Sequence, residues 1–96
     1  MPFAKDGRNY QMARYLKLDE TASELAKQLG ANCKGRRSAL SMSQAELAER
    51  TGIAASHLSY IEQGKANPTL EILEQLAEGL QTTVIDLLTA DKNPKN

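Results

Sequence analysis

Read with a period of about 3.6 residues, the centre of the chain resolves into two short helices that meet at Gly52. Leu47 and Ala48 turn inward on the first, Leu58 and Ile61 turn inward on the second, and Ile53 fills the angle between them. Ser43, with Glu46 three residues on, forms a capping box that starts the first of these helices. Gly52 supplies the positive φ that ends it and turns the chain sharply. Ala48 falls where the two helices come close, so a larger side chain there would push them apart.

Upstream, Thr21-Ala22-Ser23-Glu24 is a second capping box, and the helix it opens should reach about Ala39. Its apolar stripe is Leu25, Ala26, Leu29, Cys33 and then Leu40. Gly30 and Gly35 each weaken it by about 1 kcal/mol relative to Ala, and Gly30 is a candidate kink or break. Downstream, Gly64 ends the second central helix and Pro68 holds Asn67 extended. Thr69 caps a helix from Leu70 to about Leu80, with Leu70, Leu73, Leu76, Ala77 and Leu80 inward. Thr83 caps a last short helix, Val84 to about Thr89. There is no internal repeat and no strand candidate. The expected fold is all-α: five short helices around one core in residues 21–90, then a polar tail, 91–96. Residues 1–20 are open to two readings. Phe3, Tyr10, Ala13 and Leu16 would line one side of an extra N-terminal helix, with Lys5, Arg8, Arg14 and Lys17 in solvent; otherwise the segment is a leader outside the fold.

Composition narrows the class. At 96 residues the chain is one domain, and with no Trp and one Phe its core should be rich in Leu, Ile and Ala. The longest apolar run is Ile53 to Ala55, too short for a membrane span or a signal-peptide core. That points to a cytoplasmic protein. Cys33 stands alone, so no internal disulfide is available, and it reads as a small buried hydrophobe. With one His, His57, the chain has no ligand set for zinc, and no cofactor is implied. Acids and bases balance at 12 each, but not evenly along the chain. Residues 1–40 carry a net charge of +4 and residues 41–96 a net charge of −4, so one positive face can still meet phosphates.

The two central helices have the layout of a helix-turn-helix, with Ala55 to Gln63 as the helix offered to a DNA major groove. Met42-Ser43-Gln44-Ala45-Glu46-Leu47-Ala48, Gly52-Ile53, Leu58-Ser59-Tyr60-Ile61-Glu62-Gln63-Gly64-Lys65 and Asn67-Pro68-Thr69-Leu70 together carry a wider likeness. Over Leu29 to Leu88 the chain resembles the Cro/CI-repressor type of helix-turn-helix, the Xre family. The resemblance implies a five-helix domain that binds double-stranded DNA sequence-specifically, usually as a dimer, in transcriptional control. By position it makes Gln44 a phosphate contact, which agrees with the positive end of a helix dipole at its N-terminus. It makes Lys65 and Asn67 backbone contacts, and Ala54, Ala55, Ser56 and Tyr60 base-facing, with Ser59 beside them. It pairs Arg37 with Glu62 between the first and third helices. Lys34, in the basic cluster with Arg36 and Arg37, reads as a further phosphate contact or as a solvated helix end. His57 reads as a phosphate or base contact, or as a half-exposed packing residue.

Two departures from the family pattern stand out. Arg36 occupies a position that is usually apolar. The base-facing set lacks the Arg, Gln and Asn side chains that make bidentate base contacts. Ala55 can touch a thymine methyl and Ser56 can bond to several bases, so recognition would rest on Tyr60, on DNA shape or on a basic arm formed by residues 1–20.

Three functions from different classes compete. A DNA-binding transcriptional regulator, acting as a repressor, fits most of them. An antitoxin with the same DNA-binding core and an end segment that masks a toxin is the alternative. An enzyme has no support, because no Ser, Cys or Lys has an activating context and no carboxylate pair stands apart from an ordinary helix surface. Pairing of two copies has a motive in Val84, Ile85, Leu87 and Leu88, four apolar residues that one helix face cannot bury. The surplus, Ile85 and Leu88 with Val84 and with help from Leu80, should form a patch that a second copy covers. The competing expectation is that residues 1–20 fold back over the patch with Phe3, Tyr10 and Leu16.

Overall fold

The computed structural model describes residues 24–90 as five helices and their connections. They are α1 (residues 24–39), α2 (Gln44–Thr51), α3 (Ala55–Glu62), α4 (Leu70–Gly79) and α5 (Val84–Leu88). Thr21, the readings of residues 1–20 and the tail 91–96 lie outside the described residues.

The expected starts of α2, α4 and α5 are present with their caps. Ser43 Oγ accepts from the Glu46 N–H at 3.0 Å while Glu46 Oε1 accepts from the Ser43 N–H at 2.7 Å, so the capping box of α2 is complete. Thr69 and Thr83 accept from the N–H groups of Ile72 and Asp86 in the same way. Helix α3 is the exception: Ala54 stands at its start and offers no side-chain cap.

Helix ends are closed by devices that composition hides. Ser41 and Gln81 take left-handed φ values of 56° and 58° after α1 and α4. Each is followed by a residue whose N–H reaches back across the last turn, Met42 to Arg37 O at 3.0 Å and Thr82 to Ala77 O at 2.9 Å. Two side chains one turn apart on α1 then take up the carbonyls left at other helix ends. Asn32 Nδ2 donates to Leu87 O at 2.8 Å and Thr89 O at 3.0 Å, behind α5. Arg36 donates through Nε to Leu80 O at 2.8 Å and through Nη2 to Gln81 O at 2.6 Å, behind α4. Arg36 is therefore a cationic cap where the family pattern has an apolar residue.

The core consists of Leu29, Cys33, Met42, Leu47, Ile53, Leu58, Ile61, Ala66, Leu73, Leu76, Ala77, Leu80 and Leu87. Four expectations need correction. Gly30 does not break α1, which is continuous through it. It lies where α1 meets the end of α3, and a Cβ there would sit 2.5 Å from Ile61 O and 2.8 Å from Glu62 O. Leu25 is 51% exposed, in the first described turn of α1 and one turn before buried Leu29. Leu70 is 74% exposed: it opens α4 one turn ahead of Leu73, and Ala66 in the preceding loop takes a core position instead. Leu80 is fully buried behind α4, so it belongs to the core and not to any surface patch.

The Gly30 contact generates a paired prediction. Gly30→Ala forces the α1–α3 backbone contact apart and should cost about 1–3 kcal/mol, the usual size of overpacking. Gly35→Ala has nothing within 4 Å of the new methyl and should stabilise by about 0.5–1 kcal/mol through backbone entropy. Urea melts of the two variants check both signs; equal shifts would contradict the close approach.

Candidate nucleic-acid interface

The turn between α2 and α3 is set by three residues in sequence. Thr51 Oγ1 donates to Leu47 O at 2.8 Å and accepts from the Ile53 N–H at 3.1 Å, so one hydroxyl joins the end of α2 to the far side of the turn. Gly52 takes φ 81°, and its N–H bonds to Ala48 O at 2.8 Å. Ile53 is buried in the angle. The sequence reading missed Thr51; a hydroxyl residue directly before a helix-ending glycine was the available signal.

On α3, Leu58 and Ile61 are buried against the core, which fixes the face that remains outside. Ala54, Ala55 and Ser56 are exposed, Tyr60 is 50% exposed, and Ser59 and His57 are half-buried. Ser56, Ser59, Tyr60 and Gln63 follow one another at helical spacing, and Gln63 Nε2 donates to Ser59 Oγ at 3.1 Å. Gln63 was not assigned a role from the sequence, although its spacing from Ser56 places it on the same face. It adds to that face a side chain with both donors and an acceptor.

Beside this face, α1, α2 and α3 converge on one carboxylate. Arg37 Nε donates to Glu62 Oε2 at 2.7 Å and Arg37 Nη2 to Glu62 Oε1 at 3.0 Å, a bidentate ion pair. Arg37 Nη1 donates to Met42 O at 2.8 Å, just before the cap of α2. Gln44 Nε2 donates to Glu62 Oε1 at 2.9 Å. The side chains of Arg37 and Glu62 are only 14% and 5% exposed. Burial pushes the Glu62 carboxyl up, but hydrogen bonds from Arg37 and Gln44 and the charges of Arg37 and Lys34 outweigh it and hold it below the ordinary glutamate value. Hydrogen bonding to Glu62 raises Arg37 above its ordinary value, against the opposing effect of burial.

The other sequence-derived residues are placed as follows. Lys34, Lys65 and Asn67 are exposed, Lys65 directly after the turn that ends α3. Asn67 also borders a small apolar groove lined by Leu25, Leu29, Pro68, Leu73 and Leu88. On α5, Val84 and Leu88 are half-buried against the core and Ile85 is 75% exposed. Burial, with the Glu62 charge adding to it, pushes the Cys33 thiol up to about 12, so it is uncharged and unreactive near neutrality. Among the described residues no group of three His, Cys, Asp or Glu could hold a metal, and no helix is long and apolar enough to cross a membrane.

Two measurements follow from the Glu62 cluster. Glu62→Leu leaves a largely buried guanidinium without its partner and should cost about 3–5 kcal/mol, most of it recovered in Arg37→Met/Glu62→Leu. Additive losses in thermal melts would mean that the pair does not interact. Because the folded pKa of Glu62 is depressed, its contribution is full above the unfolded value of about 4.3 and is lost as pH falls through the folded value. Wild-type urea midpoints should therefore fall more steeply below about pH 4.3 than those of Glu62→Gln; equal slopes would remove the pair from the pH dependence.

Known proteins are similar to this chain in sequence and fold. The model of the Helix-turn-helix family HTH_3 matches residues 34–87, more than half of the chain. An uncharacterized HTH-type transcriptional regulator, y4dJ, of Sinorhizobium fredii (strain NBRC 101917 / NGR234) is 32% identical over 72 residues, 74% of this chain and 94% of that protein. Among solved structures, the hypothetical transcription factor NHTF from Neisseria is similar at a TM-score of 0.68 and 28% identity, over 71% of this chain and 78% of that one. An HTH_3 family transcriptional regulator from Vibrio cholerae is similar at a TM-score of 0.65 and 26% identity over 69% of this chain, which spans 37% of that longer protein. With the hinge at Gly52, the free outer face of α3 and these matches together, the chain belongs to the HTH_3 family of DNA-binding helix-turn-helix proteins, the Cro/CI-repressor or Xre type.

Proposed function

We propose that the chain is a transcriptional repressor that binds a two-fold symmetric operator as a homodimer, with α3 in the major groove of each half-site. The observation that carries this reading is the outer face of α3, where Ala54, Ala55, Ser56 and Tyr60 are exposed while Leu58 and Ile61 hold the helix to the core. Gln44, at the start of α2, and Lys65, after α3, would meet the phosphates on either side of the groove. Lys34, Asn67 and His57 extend the backbone contacts. Small side chains at the base-facing positions favour readout by shape and by bridging water over bidentate contacts. Repression needs no further domain, because occupancy alone excludes the transcription machinery from overlapping DNA.

Dimerisation supplies what one module lacks in contact area. Ile85 at 75% exposure, flanked by Val84 and Leu88, is the apolar feature of α5 that a second copy would cover. A two-fold axis there would bring like residues together and repeat the half-site about one DNA turn, roughly 34 Å, away.

Binding to the DNA flanking its own gene, measured by anisotropy across a salt series, tests the reading. Lys65→Ala should weaken all sequences alike and lower the salt slope by about one contact. Tyr60→Ala and Ser56→Ala should change which sequences are preferred. An unchanged salt slope in Lys65→Ala would refute the docking geometry. Sedimentation should show a dimer at tens of micromolar that Ile85→Asp dissociates, and a wild-type monomer that protects a symmetric site no better than a half-site would refute the dimer.

A further inference from the structure

We infer that Glu62 is a positioning residue for DNA binding, acting through Gln44 and touching no DNA itself. The inference rests on the reading of Gln44 as a phosphate contact. Both oxygens of Glu62 are occupied: Oε2 by Arg37 Nε at 2.7 Å, and Oε1 by Arg37 Nη2 at 3.0 Å and Gln44 Nε2 at 2.9 Å. An ionised carboxylate only accepts hydrogen bonds. Gln44 must therefore turn its NH2 group, never its carbonyl, toward Glu62, since a flipped amide would set two acceptors against each other.

This lock has a consequence at the start of α2. One Nε2 hydrogen of Gln44 is held by Glu62, which fixes the plane of the amide and the direction of the other. The second hydrogen is left for a phosphate oxygen beside the free N–H groups of the first turn of α2. Rotamer freedom is thus given up when the protein folds, not when it binds, and binding is tighter for it. The charge of Glu62 does not oppose the phosphates, because Arg37 pairs with it and its side chain is only 5% exposed. Arg37 in turn is anchored to Met42 O at 2.8 Å, so the residue that orients Gln44 is fixed to the backbone just ahead of α2.

The test is a cycle of DNA affinities on a short random-sequence duplex at low salt, where a phosphate contact registers without knowledge of the operator. Gln44→Ala should weaken binding about threefold to tenfold, the loss of one hydrogen bond. Arg37→Met/Glu62→Leu removes the lock with no change of net charge and should weaken binding by a similar factor. Adding Gln44→Ala to that pair should cost nothing more. Additive losses, or full affinity in the Arg37→Met/Glu62→Leu protein, would overturn the inference. Full affinity in Gln44→Ala would instead overturn the phosphate-contact reading. If the double variant melts below the assay temperature, Glu62→Asp keeps the charge but withdraws the oxygen from Gln44, and the same non-additivity is expected. In 15N spectra of the free protein, the two Gln44 side-chain amide protons should be widely separated in shift in the wild type and collapse toward solvent values in Glu62→Asp; unchanged shifts would count against the lock.

Discussion

A carboxylate at the last residue of α3 is an awkward group: the helix dipole opposes its charge there, and so does its burial. Arg37 resolves both, and the geometry of the side proposed to face DNA follows from how it does so. Its guanidinium spans from Glu62 on α3 to Met42 O ahead of α2, so a single planar group fixes where α2 begins relative to where α3 ends. The fit is tight enough that α1 presents no side chain where it crosses the end of α3; Gly30 faces the carbonyls of Ile61 and Glu62 directly. A buried ion pair adds little net stability compared with an apolar pair of the same shape. The apolar core does that work, and the ion pair decides the geometry around it.

That geometry divides the molecule by chemistry. Leu58 and Ile61 commit one side of α3 to the core, and the opposite side keeps only small or neutral polar groups apart from Tyr60. The exposed acidic residues Glu71, Glu74 and Glu78 recur at helical spacing on α4, which makes its solvent face a poor surface for phosphates. A chain with no net charge can therefore still present a side that DNA tolerates, because the acidic excess lies in residues 41–96 and is concentrated on α4. The missing cap of α3 fits the same division, since the first N–H groups of that helix are left to the outside.

Much of this was legible in the sequence because it depends on neighbours in the chain. Ser43 with Glu46, Thr69 and Thr83 cap helices through contacts three residues away, and Gly52 needs only its own φ, so local patterns place them. Arg37 and Glu62 are 25 residues apart, so no local pattern pairs them. What the sequence hid is tertiary. Ser41 and Gln81 are not residues that announce a left-handed turn. Gly30 looked like a flaw in a helix, because the backbone it approaches belongs to another element. Leu25, Leu70 and Leu80 fit their stripes equally well, and only the extent of the neighbouring helices separates exposed from buried. The Gln44 bond to Glu62 is of the same kind: each residue was singled out for a role of its own, and their contact appears only when α2 and α3 are folded together.

The central claim is that one continuous side of the molecule, built from the start of α2, the outer face of α3 and the loop after it, meets DNA. The most direct measurement is a titration of the 15N-labelled protein with a duplex, following every backbone amide. Shifts should concentrate at Gln44 and Ala45, along Ala54 to Tyr60 and at Lys65 to Asn67, with Glu71, Glu74 and Glu78 unmoved. Shifts centred on α4, or spread evenly over all five helices, would contradict it.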